Sequence, residues 1–374
     1  MRHTKTWSYH HPVKISAGPG ALSRLPNLVP EHGNLLLITT PGFSHRGTTD
    51  LICQQLGRQR VQVHDRVSPN PDLDDLDQAV QEYRAFNFSG IIGLGGGSVL
   101  DAAKVLGTAL ALDMDKPLEA LLRQKQDQPQ YAPIPVTAIP GTSGTGAEVT
   151  PFATVWDGKN KKKHSLTGEH VYPQQALLDP ELTLSLPYQQ TLHTGLDAIS
   201  HALESLWNKD RTPVSEAWAL HALMLANQAL PLVLEQPGSL EQRSRMQQAS
   251  LLAGLAISQT RTAIAHSISY PLTIRYGVPH GLACSFTLPA LIQRYLPWTH
   301  MQQESQTLKG IQALLGSLDL SKELRRYLGD RDPAEHLLEM FSPERAGNFV
   351  EPLTMQDVQE ILRSSASLSQ TSTT

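Results

Sequence analysis

The sequence predicts an α/β N-terminal half built on a parallel sheet, followed by an all-α C-terminal half. The chain has 374 residues, more than the roughly 250 to 300 that one hydrophobic core usually serves, so two domains are expected. The first half alternates short apolar runs with helix-like stretches. After Leu178-Asp179-Pro180, strand-like runs largely disappear and apolar residues recur every three or four positions. We therefore predict domains at 1–186 and 187–374.

Three short apolar runs in the first half are predicted to be buried strands of the parallel sheet. They cover residues 35–38, 90–94 and 136–139, and each is bounded by Gly, Pro or Asn. Helical patterns lie between them, as expected where parallel strands need crossover connections.

The second half is predicted to be helical because of its apolar spacing. One stripe with helical periodicity consists of Leu192, Leu196, Ile199, Leu203 and Leu206. By contrast, residues 364–374 are rich in Ser and Thr, and we expect them to be disordered.

Composition argues against several classes of protein. The net charge is −4 with scattered Lys and Arg, so a nucleic-acid partner has little electrostatic support. The two cysteines, Cys53 and Cys284, lack CxxC spacing, which argues against a disulfide framework or a thiolate zinc site. The first ten residues are polar, and no later run approaches the roughly 18 apolar residues of a membrane span. We expect a soluble cytoplasmic protein without a nucleic-acid or membrane partner.

A glycine-rich turn, Gly95-Gly96-Gly97-Ser98, directly follows the predicted strand at 90–94 and precedes a helical pattern. Glycines let the backbone approach a ligand closely, and a helix N-terminus offers free N–H groups to a phosphate. Ser98 and Asp101 also resemble a capping box, so a capped helix after a tight turn is the alternative interpretation.

A second flexible turn, residues 141–146, follows the predicted strand at 136–139 and adds hydroxyl groups. Two such turns at the carboxyl ends of neighbouring strands predict a Rossmann-like dinucleotide site. Two unrelated tight turns are the alternative.

Four side chains in the second half suit a metal site. Asp197 and His201 are four residues apart and share a helix face, a spacing that alone is more often a hydrogen-bonded pair. His266 follows an apolar helical stretch, and His280 lies in a turn-like segment. One carboxylate and three imidazoles suit Fe²⁺ or Zn²⁺ with an open position for a substrate oxygen. Core or helix-cap histidines are the alternative for His266 and His280.

Together these segments resemble the iron-containing alcohol dehydrogenase family over nearly the whole chain. Residues 95–104 match its GGGS-x-x-D-x-A-K element, 140–150 resemble its Thr-rich loop, and 69–71 its PNP turn. Residues 195–204 are similar to its D-A-x-x-H-A-x-E helix, and Pro279-His280-Gly281 occupies a further ligand position. The resemblance implies the fold shared with dehydroquinate synthase, with a dinucleotide-binding α/β domain and a helical metal-binding domain.

The resemblance also implies the site residues and the reaction. The metal ligands would be Asp197, His201, His266 and His280, holding Fe²⁺ or Zn²⁺. The residues that would bind NAD or NADP are Thr40, Gly95, Gly96, Gly97, Ser98, Asp101, Lys104, Thr142, Ser143 and Thr145. The reaction would be direct hydride transfer with the metal as Lewis acid, in a homodimer.

Two positions depart from the family pattern. Where many members carry a second His, four residues after the third ligand, this chain has Tyr270, a phenol that titrates near 10 rather than 6.5. We expect Tyr270 to shape the site or donate a hydrogen bond. Thr40 stands where NAD-selective members carry Asp, so NADP should be tolerated, with His45 or Arg46 near its 2′-phosphate.

Basic residues near the predicted ligands favour an anionic substrate. Residues 265–289 resemble the branch of phosphonoacetaldehyde reductases, which make 2-hydroxyethylphosphonate. Arg275 is the predicted phosphonate contact, with Lys163 and His164 as further substrate contacts. A solvated charge run is the alternative for at least two of the three lysines at 161–163.

Three other functions compete with this prediction. One is a dehydrogenase of the same architecture for another small alcohol, a diol or lactaldehyde. The second is a dehydroquinate synthase-like lyase that uses NAD only transiently. The third is a non-catalytic binding protein, which four potential ligands disfavour.

Overall fold

The computed structural model describes residues 6–126 and 131–367. They form two compact units, each described by itself below. The sheet unit contains residues 11–126, 131–142 and 146–184, and the helical unit contains 6–10, 143–145 and 185–367.

The sheet unit is built on six parallel strands, as the sequence predicts. The strands of the unit are β1 (Lys14–Ala17), β2 (Asn34–Ile38), β3 (Val61–His64), β4 (Phe88–Gly95), β5 (Val136–Pro140), β6 (Phe152–Asp157), β7 (Lys162–Thr167) and β8 (Gln175–Leu178). The sheet order is β1-β8-β5-β4-β2-β3, and all of its pairs are parallel. The predicted strands at 35–38, 90–94 and 136–139 are confirmed as parts of β2, β4 and β5.

The sheet is buried on both faces, which explains why its strands are continuous apolar runs. Leu36 and Ile38 of β2 pack into one hydrophobic cluster, whereas Leu35 and Leu37 pack into another. This alternation follows from the two-residue period of a strand. Helices of this unit are α1 (Pro41–His45), α2 (Thr48–Leu56), α3 (Leu73–Tyr83) and α4 (Gly97–Ala109).

An antiparallel hairpin of β6 and β7 forms a separate two-stranded sheet that the sequence reading missed. Ala153 and Val155 point into the core beside α4. The lysine-rich start of β7 obscures its strand pattern, because only Leu166 of that strand is buried.

The helical unit contains the remaining helices. They are α5 (Tyr188–Leu206), α6 (Pro213–Glu235), α7 (Leu240–Thr260), α8 (Ile264–Tyr276), α9 (His280–Ala283), α10 (Leu288–Tyr295), α11 (Gln302–Ser317), α12 (Leu320–Leu328), α13 (Leu337–Met340), α14 (Pro343–Ala346) and α15 (Met355–Ser367). The predicted stripe on α5 is buried in the core of this unit. The all-α prediction for the second half is thereby confirmed.

Two sequence expectations about this unit are wrong: that no run is long and apolar enough to cross a membrane, and that all of residues 364–374 are disordered. Helix α6 has 23 residues and a mean hydropathy of 1.4 over its most apolar window, so by length and composition it meets the criterion for crossing a membrane. Its buried residues, such as Leu223, Leu230 and Val233, belong to the core, as in the core helix of a soluble protein. The expected disorder of 364–374 fails for 364–367, which end α15, while 368–374 lie outside the described residues.

Candidate active site

Three helices bring the predicted metal ligands together. Asp197 and His201 lie on α5, His266 lies in the first turn of α8, and His280 begins α9. The Asp197 Oδ1 atom is 3.7 Å from His201 Nε2, 3.6 Å from His266 Nε2 and 3.9 Å from His280 Nε2. A single carboxylate oxygen therefore faces three imidazole nitrogens.

The donor set fits a divalent metal ion. His266 Nε2 is buried without a hydrogen-bond partner among the described residues, and its distance to Asp197 is too long for a hydrogen bond. A buried polar atom without a partner is costly, and coordination of an ion would satisfy it. One carboxylate with three imidazoles suits Zn²⁺ or Fe²⁺ and leaves a position for substrate.

Glu204, one turn beyond His201 on α5, orients His266. Its Oε2 accepts from His266 Nδ1 at 2.6 Å, and its Oε1 accepts from the Ala265 backbone N–H at 2.7 Å. Burial opposes the charge on His266, but the carboxylates of Glu204 and Asp197 outweigh it and raise the pKa of His266 to about 9. This carboxylate–histidine arrangement keeps a proton on Nδ1 and directs Nε2 toward the other ligands.

The Thr-rich turn supports a second imidazole. The Gly144 carbonyl oxygen lies 3.3 Å from Nδ1 of His201, which orients Nε2 toward Asp197. Gly144 packs so closely on α5 that an added Cβ would lie 2.6 Å from the Thr194 carbonyl oxygen. The glycine therefore permits this support.

Electrostatics favour an ionised Asp197. Burial alone would raise the pKa of Asp197, but His201, His266 and His280 together lower it well below its usual range. Cationic character around the carboxylate is what a bound divalent ion would also provide.

Small side chains set the approach of α9 to α5. A Cβ added to Gly281 would lie 1.8 Å from the His193 carbonyl oxygen, so only glycine fits between His280 and the rest of α9. Ser200 Oγ donates to the Cys284 carbonyl at 3.2 Å, and Ser285 Oγ donates to the Leu196 carbonyl at 3.1 Å. These contacts fix His280 relative to Asp197.

Cys284 lies beside the cluster, although the sequence reading used it only to argue against a thiolate zinc site. Its Sγ is 3.5 Å from Asp197 Oδ1, and the ligand atoms of Asp197, His266, His280 and Cys284 lie within 4.8 Å of one another. Burial and the carboxylates of Asp197 and Glu204 raise the pKa of the Cys284 thiol well above its usual value. The thiol therefore donates a hydrogen bond to Asp197.

Tyr270 lies beside the cluster on α8, one turn after His266. Its ring is parallel to the His280 ring within 2°, with centroids 6.5 Å apart. The Arg345 guanidinium carbon lies over the Tyr270 ring, 4.8 Å from its centroid. The sequence reading did not identify Arg345 or the role of Glu204, because their partners are distant in sequence.

Arg275 is not brought to the cluster. It lies in the last turn of α8, nine residues after His266, which places it about 13 Å along the helix and on the opposite side. Its Nε donates to Glu339 Oε2 at 3.0 Å, and its Nη2 pairs with Glu339 Oε1 at 2.5 Å. This exposed ion pair occupies the guanidinium.

In the sheet unit, residues 95–97 and the start of the second glycine-rich turn, residues 141–142, meet at the carboxyl ends of β4 and β5. These strands are parallel neighbours, and the Gly141 N–H donates to the Gly95 carbonyl at 2.8 Å. A Cβ at Gly95 would lie 2.6 Å from Val99 Cγ2, and one at Gly141 would lie 2.5 Å from Phe43 Cζ. Helix α4 begins at Gly97 after Gly96, with no side-chain cap on its N–H groups. Uncapped N–H groups beside close-packed glycines suit a pyrophosphate.

The capping-box interpretation of Ser98 and Asp101 is wrong. Ser98 Oγ accepts from the Asn70 backbone N–H at 3.2 Å, and Asp101 Oδ2 accepts from the Thr154 backbone N–H at 2.9 Å. Lys104 is fully buried and donates to the carbonyls of Ala147 at 2.9 Å and Phe152 at 2.6 Å. Asp101 and Lys104 thus connect α4 to the segment before and within β6.

The other predicted cofactor residues divide between the two units. Thr40 follows β2, the neighbour of β4, and occupies the position before α1. Thr142 lies against Gly96, whose added Cβ would be 3.4 Å from Thr142 Cγ2. Ser143 and Thr145 group with the helical unit, on either side of the Gly144 contact to His201.

Lys163 and His164 lie on β7 of the sheet unit. The Lys163 ammonium is 5.6 Å from the centroid of the Trp156 ring, and His164 Nε2 is 3.5 Å from Asp157 Oδ2. Lys161 and Lys162 are exposed, as the charge-run alternative expects. Lys163 and His164 therefore contact Trp156 and Asp157 of their own hairpin, and Lys163 also interacts electrostatically with Asp101 of α4.

Two family models match this chain, one in its N-terminal half and the other in its C-terminal half. A family model described as iron-containing alcohol dehydrogenase matches residues 12–180. The model of the C-terminal region of the Fe-containing alcohol dehydrogenase family matches residues 191–327. Together they cover most of the chain, including all four predicted ligands.

Individual relatives include reductases of anionic aldehydes. A phosphonoacetaldehyde reductase of Streptomyces viridochromogenes is 37% identical over 282 residues, covering 73% of this chain and 68% of its own length. A sulfoacetaldehyde reductase of Bilophila wadsworthia is 32% identical over 75% of this chain and 73% of its own. The crystal structure of a sulfoacetaldehyde reductase from Bifidobacterium kashiwanohense with NAD⁺ aligns with a TM-score of 0.85 and 26% identity, over 97% of this chain and 99% of that one.

Proposed function

This chain belongs to the iron-containing alcohol dehydrogenase family, and we propose that it reduces phosphonoacetaldehyde to 2-hydroxyethylphosphonate. It is an oxidoreductase of the metal-dependent alcohol and aldehyde dehydrogenase class. The proposal takes the reaction from the family and the substrate from the similarity to the phosphonoacetaldehyde reductase.

The metal ligands in this proposal are Asp197, His201, His266 and His280. The observation that carries it is the convergence of three Nε2 atoms on Asp197 Oδ1, within 3.6 to 3.9 Å. When bound, an Fe²⁺ or Zn²⁺ ion would act as a Lewis acid on the substrate carbonyl, and NADH or NADPH would supply the hydride.

The surrounding residues prepare the ligands for that ion. Glu204 holds the proton on Nδ1 of His266, so coordination of an ion would displace the proton on Nε2. The Gly144 carbonyl holds the proton on Nδ1 of His201, and the Cys284 thiol donates to Asp197. Tyr270 packs against His280 and is the protein phenol proposed to donate a hydrogen bond near the reacting oxygen.

The proposed cofactor seat is formed by Gly95, Gly96, Gly97 and Thr142, at the uncapped start of α4. Thr40 lies at the end of β2 and carries no negative charge, so the absence of carboxylate repulsion supports use of both NAD and NADP. Ser98, Asp101 and Lys104 shape this seat through their bonds to Asn70, Thr154 and the residues before β6.

The substrate is proposed to be a small anionic aldehyde. Sulfoacetaldehyde is the second candidate, because two of the similar proteins described above are sulfoacetaldehyde reductases. Phosphonate and sulfonate present similar oxygen acceptors but differ in charge, so an Arg would recognise both and bind the dianion more strongly.

Three further assignments complete the proposal. Residues 1–186 are the dinucleotide-binding domain and 187–374 the metal-binding domain. The enzyme acts as a homodimer. It functions in the cytoplasm, consistent with the two buried free cysteines, Cys53 and Cys284.

An anaerobic assay with defined metal content tests the proposal. The metal-free protein is reconstituted with Fe²⁺ or Zn²⁺, and oxidation of NADH and NADPH is followed with phosphonoacetaldehyde, sulfoacetaldehyde, propionaldehyde and lactaldehyde. We expect metal-dependent turnover with the highest kcat/KM for phosphonoacetaldehyde. Equal kcat/KM for the charged and uncharged aldehydes would contradict the anionic substrate, and no net oxidation of either cofactor would favour a lyase.

A further inference from the structure

Arg345 is a cation of the helical unit that lies against Tyr270, the aromatic neighbour of the predicted ligand His280. It lies on α14, is half-buried, and its Nη1 donates to Thr262 Oγ1 at 2.6 Å. Thr262 is two residues before the start of α8, which carries His266. The side chain is therefore fixed against the segment that leads into the ligand helix.

One aromatic ring connects Arg345 to the cluster. The guanidinium carbon is 4.8 Å from the centroid of Tyr270, and the Tyr270 ring lies parallel to the His280 ring. An aromatic face attracts a cation and holds it in a restricted position. A guanidinium held in this way has already lost part of its side-chain conformational entropy, so binding an anion costs less entropy.

The charge of Arg345 is not used by an ion pair in the part of the chain that the structure describes. No carboxylate of those residues lies within 4 Å of its nitrogens, whereas Arg275 is paired with Glu339 at 2.5 Å. Glu204 is near enough to interact electrostatically with Arg345, but its oxygens are bonded to His266 and the Ala265 N–H. A half-buried cation without a carboxylate partner is suited to an anionic ligand.

We propose that Arg345 recognises the anionic group of the substrate while the aldehyde lies at the Asp197 cluster. This inference rests on the proposed function. It assigns to Arg345 the phosphonate contact that the sequence predicted for Arg275. A single methylene separates the aldehyde from the phosphonate in phosphonoacetaldehyde, so the anion must bind close to the ligands. Arg345 contacts Tyr270, whose ring lies parallel to that of the ligand His280, whereas Arg275 lies on the opposite side of α8 and is paired with Glu339.

Kinetics of R345Q test the assignment, with R275Q as the matched control and R345K as the conservative variant. We expect R345Q to raise KM for phosphonoacetaldehyde about 10- to 100-fold, since bonds to charged groups are the strong ones. For propionaldehyde, which has no anion, kcat/KM should stay within about threefold, because no such bond is lost. R345K should restore part of the preference, and R275Q should behave like the wild type.

Binding of 2-hydroxyethylphosphonate, measured by calorimetry, provides a readout that does not depend on turnover. R345Q should weaken it by a similar factor, with unchanged metal content. Equal losses on charged and uncharged aldehydes would assign Arg345 a structural role and overturn the inference. If the wild type prefers the anion and R345Q keeps that preference, only the inference fails. If the wild type shows no preference, the proposed substrate fails with it.

Discussion

The glycine turns of the sheet unit and the ligand cluster of the helical unit are built in different ways. Gly95, Gly96 and Gly97 are consecutive in sequence and form the junction at which β4 ends and α4 begins. The cluster is assembled from α5, α8 and α9, and its supports Glu204 and Gly144 lie about 60 residues from the histidines they orient. A local site is specified by a short motif, whereas an assembled site depends on long-range packing.

The largest expected effect comes from removing a central ligand of the assembled site. H266A removes the buried Nε2 that faces Asp197, together with the partner of Glu204. We expect loss of the bound metal and a fall in kcat/KM of roughly a thousandfold or more, because several kcal/mol of Lewis-acid stabilisation is lost. Metal analysis measures the bound metal, and steady-state kinetics measure kcat/KM. The control is H221A, at an exposed histidine of the same unit. Full metal content in H266A would remove His266 from the ligand set.

A smaller effect is expected when only the support of a ligand is changed. E204Q keeps the shape of Glu204 but removes the charge that fixes the His266 proton. Supporting carboxylates of this kind typically contribute about 10- to 100-fold to metal affinity. Competition with a chelator measures the Fe²⁺ affinity, and E235Q, at an exposed position on α6, is the control. An unchanged affinity would mean that the cluster does not depend on its long-range supports.

The local site is expected to fail separately from the assembled one. G95A places a Cβ 2.6 Å from Val99 and distorts the start of α4. We expect KM for NADH to rise by about tenfold, because the distortion would remove roughly one hydrogen bond to a charged phosphate oxygen. The metal content should stay unchanged. Gly238 has no atom within 4 Å of an added Cβ, so G238A is the control. Loss of metal in G95A would break the distinction between the two regions.

The last expected effect is on stability rather than on activity, and it concerns the buried Glu148 of the sheet unit, which lies near Lys104. Burial raises the pKa of Glu148 to about 7, an effect that Lys104 only partly offsets. A carboxyl whose folded pKa is raised stabilises the protein fully below its unfolded pKa, and this contribution is lost as pH rises through the folded value. Relative to E148Q, the wild type should lose at most about 3 kcal/mol of unfolding free energy between pH 4.5 and 8. Urea denaturation at several pH values in that range measures the unfolding free energy. If it changes with pH equally in the wild type and in E148Q, the raised pKa of Glu148 is contradicted.

The sequence predicted what short-range patterns encode. Apolar runs bounded by glycine located β2, β4 and β5, and helical spacing located α5 with Asp197 and His201 on it. The β6–β7 hairpin was missed because its second strand begins with lysines and buries a single side chain. Helix α9 was read as a turn because it has only four residues after Pro279.

Charged residues were harder to assign than glycines or ligands. Arg275 and Arg345 look alike in sequence, and proximity along the chain favoured Arg275. The structure pairs Arg275 with Glu339 and sets Arg345 over Tyr270, through contacts 64 and 75 residues apart in sequence. Such pairing depends on tertiary packing, which residue spacing does not reveal.

An anomalous difference map at the iron absorption edge, from crystals grown anaerobically with Fe²⁺, addresses the metal centre most directly. We predict one strong peak per chain, at roughly 2.0 to 2.2 Å from an oxygen of Asp197 and from Nε2 of His201, His266 and His280. A peak bound by other residues, or no peak within reach of these four side chains in active crystals, would contradict the assignment.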